Sequence, residues 1–285
     1  MWRAWVLGWL IGVSASISAA QEVVYPNLSG LGTGSLGYAA LTLALEKSGQ
    51  DYQVRFDSRE VTATRMQLML EQGEIDVMDG GYLPQVADRF DIIYRPIDMG
   101  ISGWRVFIVH RDNAERLASV KTLEQLKAFV LGQGNGWNDV DILRHAGLTV
   151  ITTAKLNNLI SMMEVKRFDL LPLGANEAYQ LLQQFTSQDS ALQVDDAITL
   201  VYPFGRFFYV RKDRLKLKQA IEQGLDRALE DGSLLSLLQS HPFSRNAFER
   251  ANLNQRQPIY IETPNLTKQF KAIEDKWWYH PELIE

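Results

Sequence analysis

The chain of 285 residues carries 29 Lys and Arg against 34 Asp and Glu, a net charge of −5, and this acidic balance excludes nucleic acid as a partner. It has no cysteine, so core packing must hold it rather than disulfides, and thiolate metal sites are excluded. The four histidines, His110, His145, His241 and His280, lack ligand spacing, so neither a metal nor a cofactor is expected.

The first twenty residues hold one charge, Arg3, then an apolar run from Ala4 to Val13, and close on Ser18-Ala19-Ala20. That pattern predicts a secretory signal peptide cleaved after Ala20 and a periplasmic mature protein, because the run is short for a membrane span. Glu22–Tyr25 reads as a strand, followed by a loop. Ser35 then caps a helix with Leu36, Ala39, Ala40, Leu43 and Ala44 on one face, stopped at Gly49. Tyr52, Val54 and Phe56 alternate as a second strand, and Thr62 opens a helix that ends at Gly73. A strand at Ile75–Met78 leads into Asp79-Gly80-Gly81-Tyr82, and further strands are expected at Ile92–Ile97 and Trp104–His110. This is the βαβαβ rhythm of a parallel sheet with helices on its faces.

A second unit begins with the capping-box pattern Thr122-Leu-Glu-Gln125, which predicts a helix to about Phe129. Strands follow at Thr149–Thr152, Asp169–Leu173, Ile198–Tyr202 and Arg206–Val210, with helices between and after them. The apolar segments near residues 106–110 and 199–210 bracket the middle third as two crossovers. The expected architecture is α/β: two lobes of mostly parallel sheet with flanking helices. Residues 21–108 form the first part of lobe 1, 109–201 an inserted lobe 2, and 202–285 return to lobe 1 with the tail. A ligand would be enclosed in the cleft between them.

The most informative stretch is Val130–Gly147, which reads as a strand end, a three-glycine loop, Trp137, and a helix capped by Asn138 and stopped by Gly147. Such a helix start offers free N–H groups and partial positive charge, so Gly134, Asn135 and Trp137 are candidates for holding a small polar molecule. Trp137 can also be read as an ordinary core aromatic, though its setting among glycines and polar residues favours the cleft, while Trp104, at the start of a crossover strand, divides evenly between cleft and core. Asp79 and Tyr82 stand at a strand end, where such sheets place ligands. Arg89 is either a ligand contact or a surface partner of Asp88 or Asp91. Gly32-Thr-Gly34-Ser-Leu-Gly37 matches the dinucleotide fingerprint, with Asp57 twenty residues beyond, but Pro26–Leu31 separate strand from glycines and the tight turn is lost. The carboxylate pairs Asp139/Asp141 and Asp195/Asp196 are too close in sequence to flank a scissile bond, and no nucleophile elbow or zinc motif occurs.

Three segments together carry a resemblance: Gly132-Gln133-Gly134 with Trp137 and Asp139; Arg167-Phe168-Asp169 through Pro172, Gly174, Asn176 and Glu177; and Asp231-Gly232-Ser233 in a late helix. With them the chain resembles the type II periplasmic solute-binding proteins, in the manner of the extracellular solute-binding family 3. The resemblance covers nearly all of the sequence beyond the signal. It implies a small-molecule ligand, delivery to an inner-membrane ABC permease, and a monomer. It also implies that Arg89 grips a ligand carboxylate while Glu177, beside Gly174 and Asn176, takes an ammonium group; Glu177 can also be read as a plain first-turn acid. The expected function is enclosure of a small polar solute, amino-acid-like or another small organic ion, without catalysis. Two alternatives stand beside it: a dehydratase or lyase of the same fold using Glu177 or Asp79, and a sensory ligand-binding subunit.

Overall fold

The computed structural model describes residues 20–281 apart from 29 and 188, so residues 1–19 of the expected signal peptide lie outside the described residues. Among the described residues the strands are β1 (Gln21–Leu28), β2 (Tyr52–Val61), β3 (Val77–Gly81), β4 (Phe90–Ile93), β5 (Trp104–His110) and β6 (Val130–Gly134). They continue as β7 (Thr149–Thr153), β8 (Leu170–Gly174), β9 (Leu192–Val194), β10 (Ile198–Val201), β11 (Arg206–Arg211) and β12 (Gln257–Tyr260).

Two small sheets, β1-β2 and β3-β11-β4, form one body, and a sheet ordered β12-β10-β5-β8-β6-β7, with β9 beside β5, forms the other. β1 with β2, β6 with β7 and β8, and β10 with β12 run parallel. The crossover strands β5 and β11 run antiparallel to their neighbours, because each carries the chain back between bodies instead of through a helix. β12 joins the large sheet beside β10, so part of the tail belongs with the middle third rather than wholly with the first lobe.

Alternation along the crossover strands divides the cores. On β11, Phe207 and Tyr209 pack with Met66, Met69 and Leu70 of the helix Ala63–Gln72, while Phe208 and Val210 face the helices Leu36–Ser48 and Leu215–Glu230. On β5, Val106 and Ile108 face one core and Phe107 and Val109 the other. All eight of these strand side chains are fully buried. Each stabilises the fold by about 1.5–3 kcal/mol relative to an exposed position. The helices Leu36–Ser48 and Leu215–Glu230 touch at Gly224, where an added Cβ would lie 1.7 Å from the Ala44 carbonyl oxygen.

The helix ends follow the sequence closely. Ser35 Oγ accepts from Tyr38 N–H at 3.2 Å, Thr62 Oγ1 from Arg65 N–H at 3.3 Å, and Gly49 and Gly73 adopt φ of 72° and 75° as stops. Two expectations change. The Thr122-capped helix spans only Leu123–Leu126, and Asn138 does not cap: the N-cap of the helix Asn138–His145 is Trp137, with no side-chain bond. Asn138 Nδ2 instead donates to the Tyr82 carbonyl at 3.4 Å, reaching from the large-sheet body to the small.

Candidate functional site

A cavity of about 350 Å³ lies where the two bodies meet. The large-sheet body contributes Trp137, Asn176, Glu177 and Arg105, and the small-sheet body contributes Arg206 and Phe243. Phe204, on the second crossover, lies between them.

Each arginine is prepared by the strand that carries it. Arg105 shares a face of β5 with Phe107 and Val109 but sits next to the strand's first residue, where the chain enters the large sheet. Its Nη2 lies 2.6 Å from Asp139 Oδ1, in the first turn of the helix that follows the glycine loop, and its Nη1 lies 3.6 Å from Glu177 Oε1. Asp139 also accepts from the Tyr202 hydroxyl, and the Arg105 guanidinium lies 5.3 and 5.1 Å from the Tyr202 and Phe204 ring centroids. Burial works against the Arg105 charge, but Asp139 and Tyr202 outweigh it and hold the group above the ordinary guanidinium value. For Tyr202, burial raises the phenol well above its usual range, with Arg105 opposing and Asp139 adding to the rise.

The small-sheet body repeats the arrangement. Arg206 Nε donates to Asp79 Oδ2 at 3.0 Å, Asp79 accepts from the Tyr25 hydroxyl, and the guanidinium lies 5.5 Å from the Phe243 ring centroid. Burial, with Asp79 beside it, pushes the Tyr25 phenol well above its ordinary value. The cavity is therefore bordered by two arginines, one from each body, each braced from behind by an aspartate and a tyrosine. A charge held in this way keeps its position without solvent, which suits binding of a complementary group. Two buried polar atoms without a partner, Arg105 Nε and Asn176 Oδ1, belong to residues lining the same space.

Trp137, Asn176 and Glu177 come together at the cavity. Gly134 lies beneath the Trp137 indole, where an added Cβ would come within 2.3 Å of the ring, so this glycine makes room for the tryptophan. Gly174 N–H donates to Glu177 Oε1 at 3.1 Å and fixes the carboxylate. Asn135 is exposed, and its N–H is engaged by the Thr153 carbonyl at 2.9 Å. Asp79 stands one step behind the cavity, engaged by Arg206 and Tyr25.

Three candidates lie elsewhere. Arg89 is on the outer surface, its Nη2 donating to Gln67 Oε1 at 2.8 Å with Glu71 at 3.6 Å. The reason is local: only the short turn Pro84–Val86 follows β3, and no helix start aims Arg89 inward. Tyr82 is buried among Phe207 and Phe270, its hydroxyl 2.8 Å from Thr267 Oγ1. Trp104 borders a different cavity, of about 600 Å³, with Tyr202, Phe270 and Trp278. That larger space is dominated by aromatic and aliphatic groups, whereas the smaller one holds the buried charges of Arg105 and Asp139 and two unpartnered polar atoms, features that suit recognition of a polar group.

The glycine-rich match also finds an explanation. A Cβ on Gly37 would lie 2.2 Å from both Asp79 Oδ1 and the Tyr25 hydroxyl, so its third glycine clears space for that contact. Asp57 is held by the Arg59 guanidinium at 2.7 Å. Arg105 and Arg206 were not singled out by the sequence pattern, although an arginine beginning an apolar strand such as Trp104–His110 is a visible anomaly.

Two sheet bodies joined by crossover strands across a charged cavity make this the two-lobed α/β fold of the solute-binding proteins. In particular, the chain is similar to the probable amino-acid ABC transporter extracellular-binding protein ytmK from Bacillus subtilis, with a TM-score of 0.59 and 12% identity over 78% of this chain and 97% of that one. It is similar to the amino acid ABC transporter substrate-binding protein AbpA from Streptococcus pneumoniae, bound to L-arginine, with a TM-score of 0.53 and 12% identity over 80% and 97% of the two chains. The L-cystine solute receptor of Neisseria gonorrhoeae, in its unliganded open conformation, gives 0.53 and 16% over 79% and 95%. At these identities the similarity establishes the fold. No protein-family model and no curated protein matches the chain. Among the described residues no helix is long and apolar enough to cross a membrane.

Proposed function

We propose that this protein is a periplasmic solute-binding protein that encloses a small zwitterionic solute, amino-acid-like in its groups, between two lobes, for uptake through an ABC permease. The observation that carries this reading is the pair of braced arginines, Arg105 and Arg206, brought to one cavity from opposite bodies together with Glu177. An anionic group of the solute sits against the guanidiniums, a cationic group against Glu177 and Asn176, and its remaining surface against Trp137, Phe204 and Phe243. Lobe 2 spans roughly 109–201, joined by β5 and β12, and the rest of the chain from residue 21 forms lobe 1. Closure is favoured only by the difference between the solute's contacts in the closed and open forms. Arginine and cystine binding among the similar structures agrees with this class of solute.

The reading is of a binder, not a catalyst. Asp79 is engaged by Arg206 and Tyr25, which leaves it poorly placed to move a substrate proton. A thermal-shift screen of the mature protein against amino acids, organic acids, polyamines and sugars tests the proposal. A solute that binds the native state raises the melting temperature by mass action. A rise confined to zwitterions supports it, and a response only to sugars or to dicarboxylates without an amine contradicts it.

A further inference from the structure

The chain beyond β12 attaches to both bodies. Ile261 N–H extends the β12 pairing by donating to the Val201 carbonyl at 2.9 Å on the large sheet, and Thr263 Oγ1 donates to the Pro203 carbonyl at 2.7 Å on the second crossover. After a turn at Pro264-Asn265, with Asn265 at φ 60°, the chain reaches the small sheet. There Thr267 Oγ1 meets the Tyr82 hydroxyl at 2.8 Å, and the Phe270 ring packs with its centroid 4.5 Å from that of Tyr82 and 5.6 Å from that of Phe207. Further on, the Trp278 ring covers Gly100 and Tyr279 N–H donates to the Met99 carbonyl at 2.7 Å, just before the first crossover.

We propose that residues 261–281 are a further tether between the lobes, beyond the two crossovers and the passage into β12, which limits how far the cleft opens and so sets the unliganded balance between open and closed forms. Besides the two crossovers, the chain passes from the small-sheet body to the large sheet through residues 250–256, and rotation of the lobes must be accommodated by all of these connections. The attachment through residues 261–281, held by strand pairing on one sheet and by a buried phenylalanine on the other, must stretch or shift in that rotation. The cavity of about 600 Å³ lies between this segment and the crossovers, with Phe270 and Trp278 on one side and Trp104 and Tyr202 on the other. It supplies the space into which the segment moves as the lobes close. Because apparent affinity scales with the fraction of binding-competent protein, a change in this tether alters solute affinity without touching the site.

The inference rests on the two-lobed reading but on no particular solute, and its test needs none. The chain has no cysteine, so Gln72→Cys and Asn157→Cys, both exposed and one on each body, accept a pair of spin labels without competing thiols. Interlobe distances are then compared with and without a Gly-Ser-Gly-Ser insertion after Asn265, which keeps every anchor and adds at most about 14 Å of reach. The tether predicts that the insertion shifts the unliganded distribution outward by several ångströms and broadens it, and that Phe270→Ala does the same. An unchanged distribution in the insertion variant overturns the proposal, whether or not Phe270→Ala folds. Failure of the solute screen with a widened distribution would instead remove the proposed solute class and leave the tether standing.

Discussion

Arg105 Nη2 lies 2.6 Å from Asp139 Oδ1, in a pair whose side chains are only 6% and 11% exposed. The pair spans from the first crossover strand to the start of the helix after the glycine loop, so it fixes the entrance of the large sheet against the cavity. Removing one partner of a buried pair leaves the other charge uncompensated, at a cost of about 3–5 kcal/mol. Asp139→Ala should lose stability in this range in urea unfolding, and replacing both residues by apolar ones should lose less. A double variant that loses the sum of the two single losses would mean the pair is not coupled.

Glu177 is 40% exposed in its side chain, so Glu177→Gln should fold normally and act on binding alone. A hydrogen bond to a charged group contributes about 1.5–3 kcal/mol, so affinity for the best solute should fall at least about tenfold. Trp137→Ala should weaken binding as well. Arg89→Ala, on the outer surface with Gln67 and Glu71, should leave affinity unchanged in the same calorimetric titration.

Gly37 marks the second arginine's support. A methyl group there would meet Asp79 and Tyr25 at 2.2 Å, so Gly37→Ala should displace both and cost about 1–3 kcal/mol, as overpacking does. Solute affinity should fall with it, because Arg206 loses its fixed partner. Unchanged melting temperature and affinity would show that the contact around Gly37 yields without consequence.

Caps at Ser35 and Thr62 and stops at Gly49 and Gly73 were legible because local chemistry decides them. Trp137 and Glu177 could be proposed as cavity residues because helix starts after strands announce themselves, while Asn176 came with the segment that carries the resemblance. Arg105 and Arg206 were not, since they sit on strands whose apolar neighbours mark them as core, and their partners are distant in sequence: Asp139 for the first, Asp79 for the second. Arg89 misled because its expected role came from resemblance, and the helix start that role requires is replaced here by the turn Pro84–Val86. The tail's return across both sheets left no periodic signal, because it is held by single aromatics and hydroxyls.

His241 forms part of the loop that places Phe243 at the cavity, its Nδ1 accepting from Phe243 N–H at 3.1 Å. Burial lowers its pKa below the ordinary histidine value, so the folded state holds it neutral. The unfolded chain binds the proton more readily, with a pKa of about 6.5. The contribution of neutral His241 is therefore present above about pH 6.5 and is lost as pH falls through the lowered folded value. His241→Asn, which keeps an acceptor but does not titrate, should flatten the fall of unfolding free energy between pH 7 and 5. An identical pH profile in the two proteins would assign that dependence to other groups.

In the proposed complex one solute is held at once by Arg105, Asn176 and Glu177 from one body and Arg206 from the other. A crystal structure grown with the best-binding solute measures this directly. The solute is expected in the cleft, with its anionic group on the guanidiniums and the lobes closed around it. Solute seated instead in the aromatic cavity beneath the tail, or on one lobe alone with the cleft open, would contradict it.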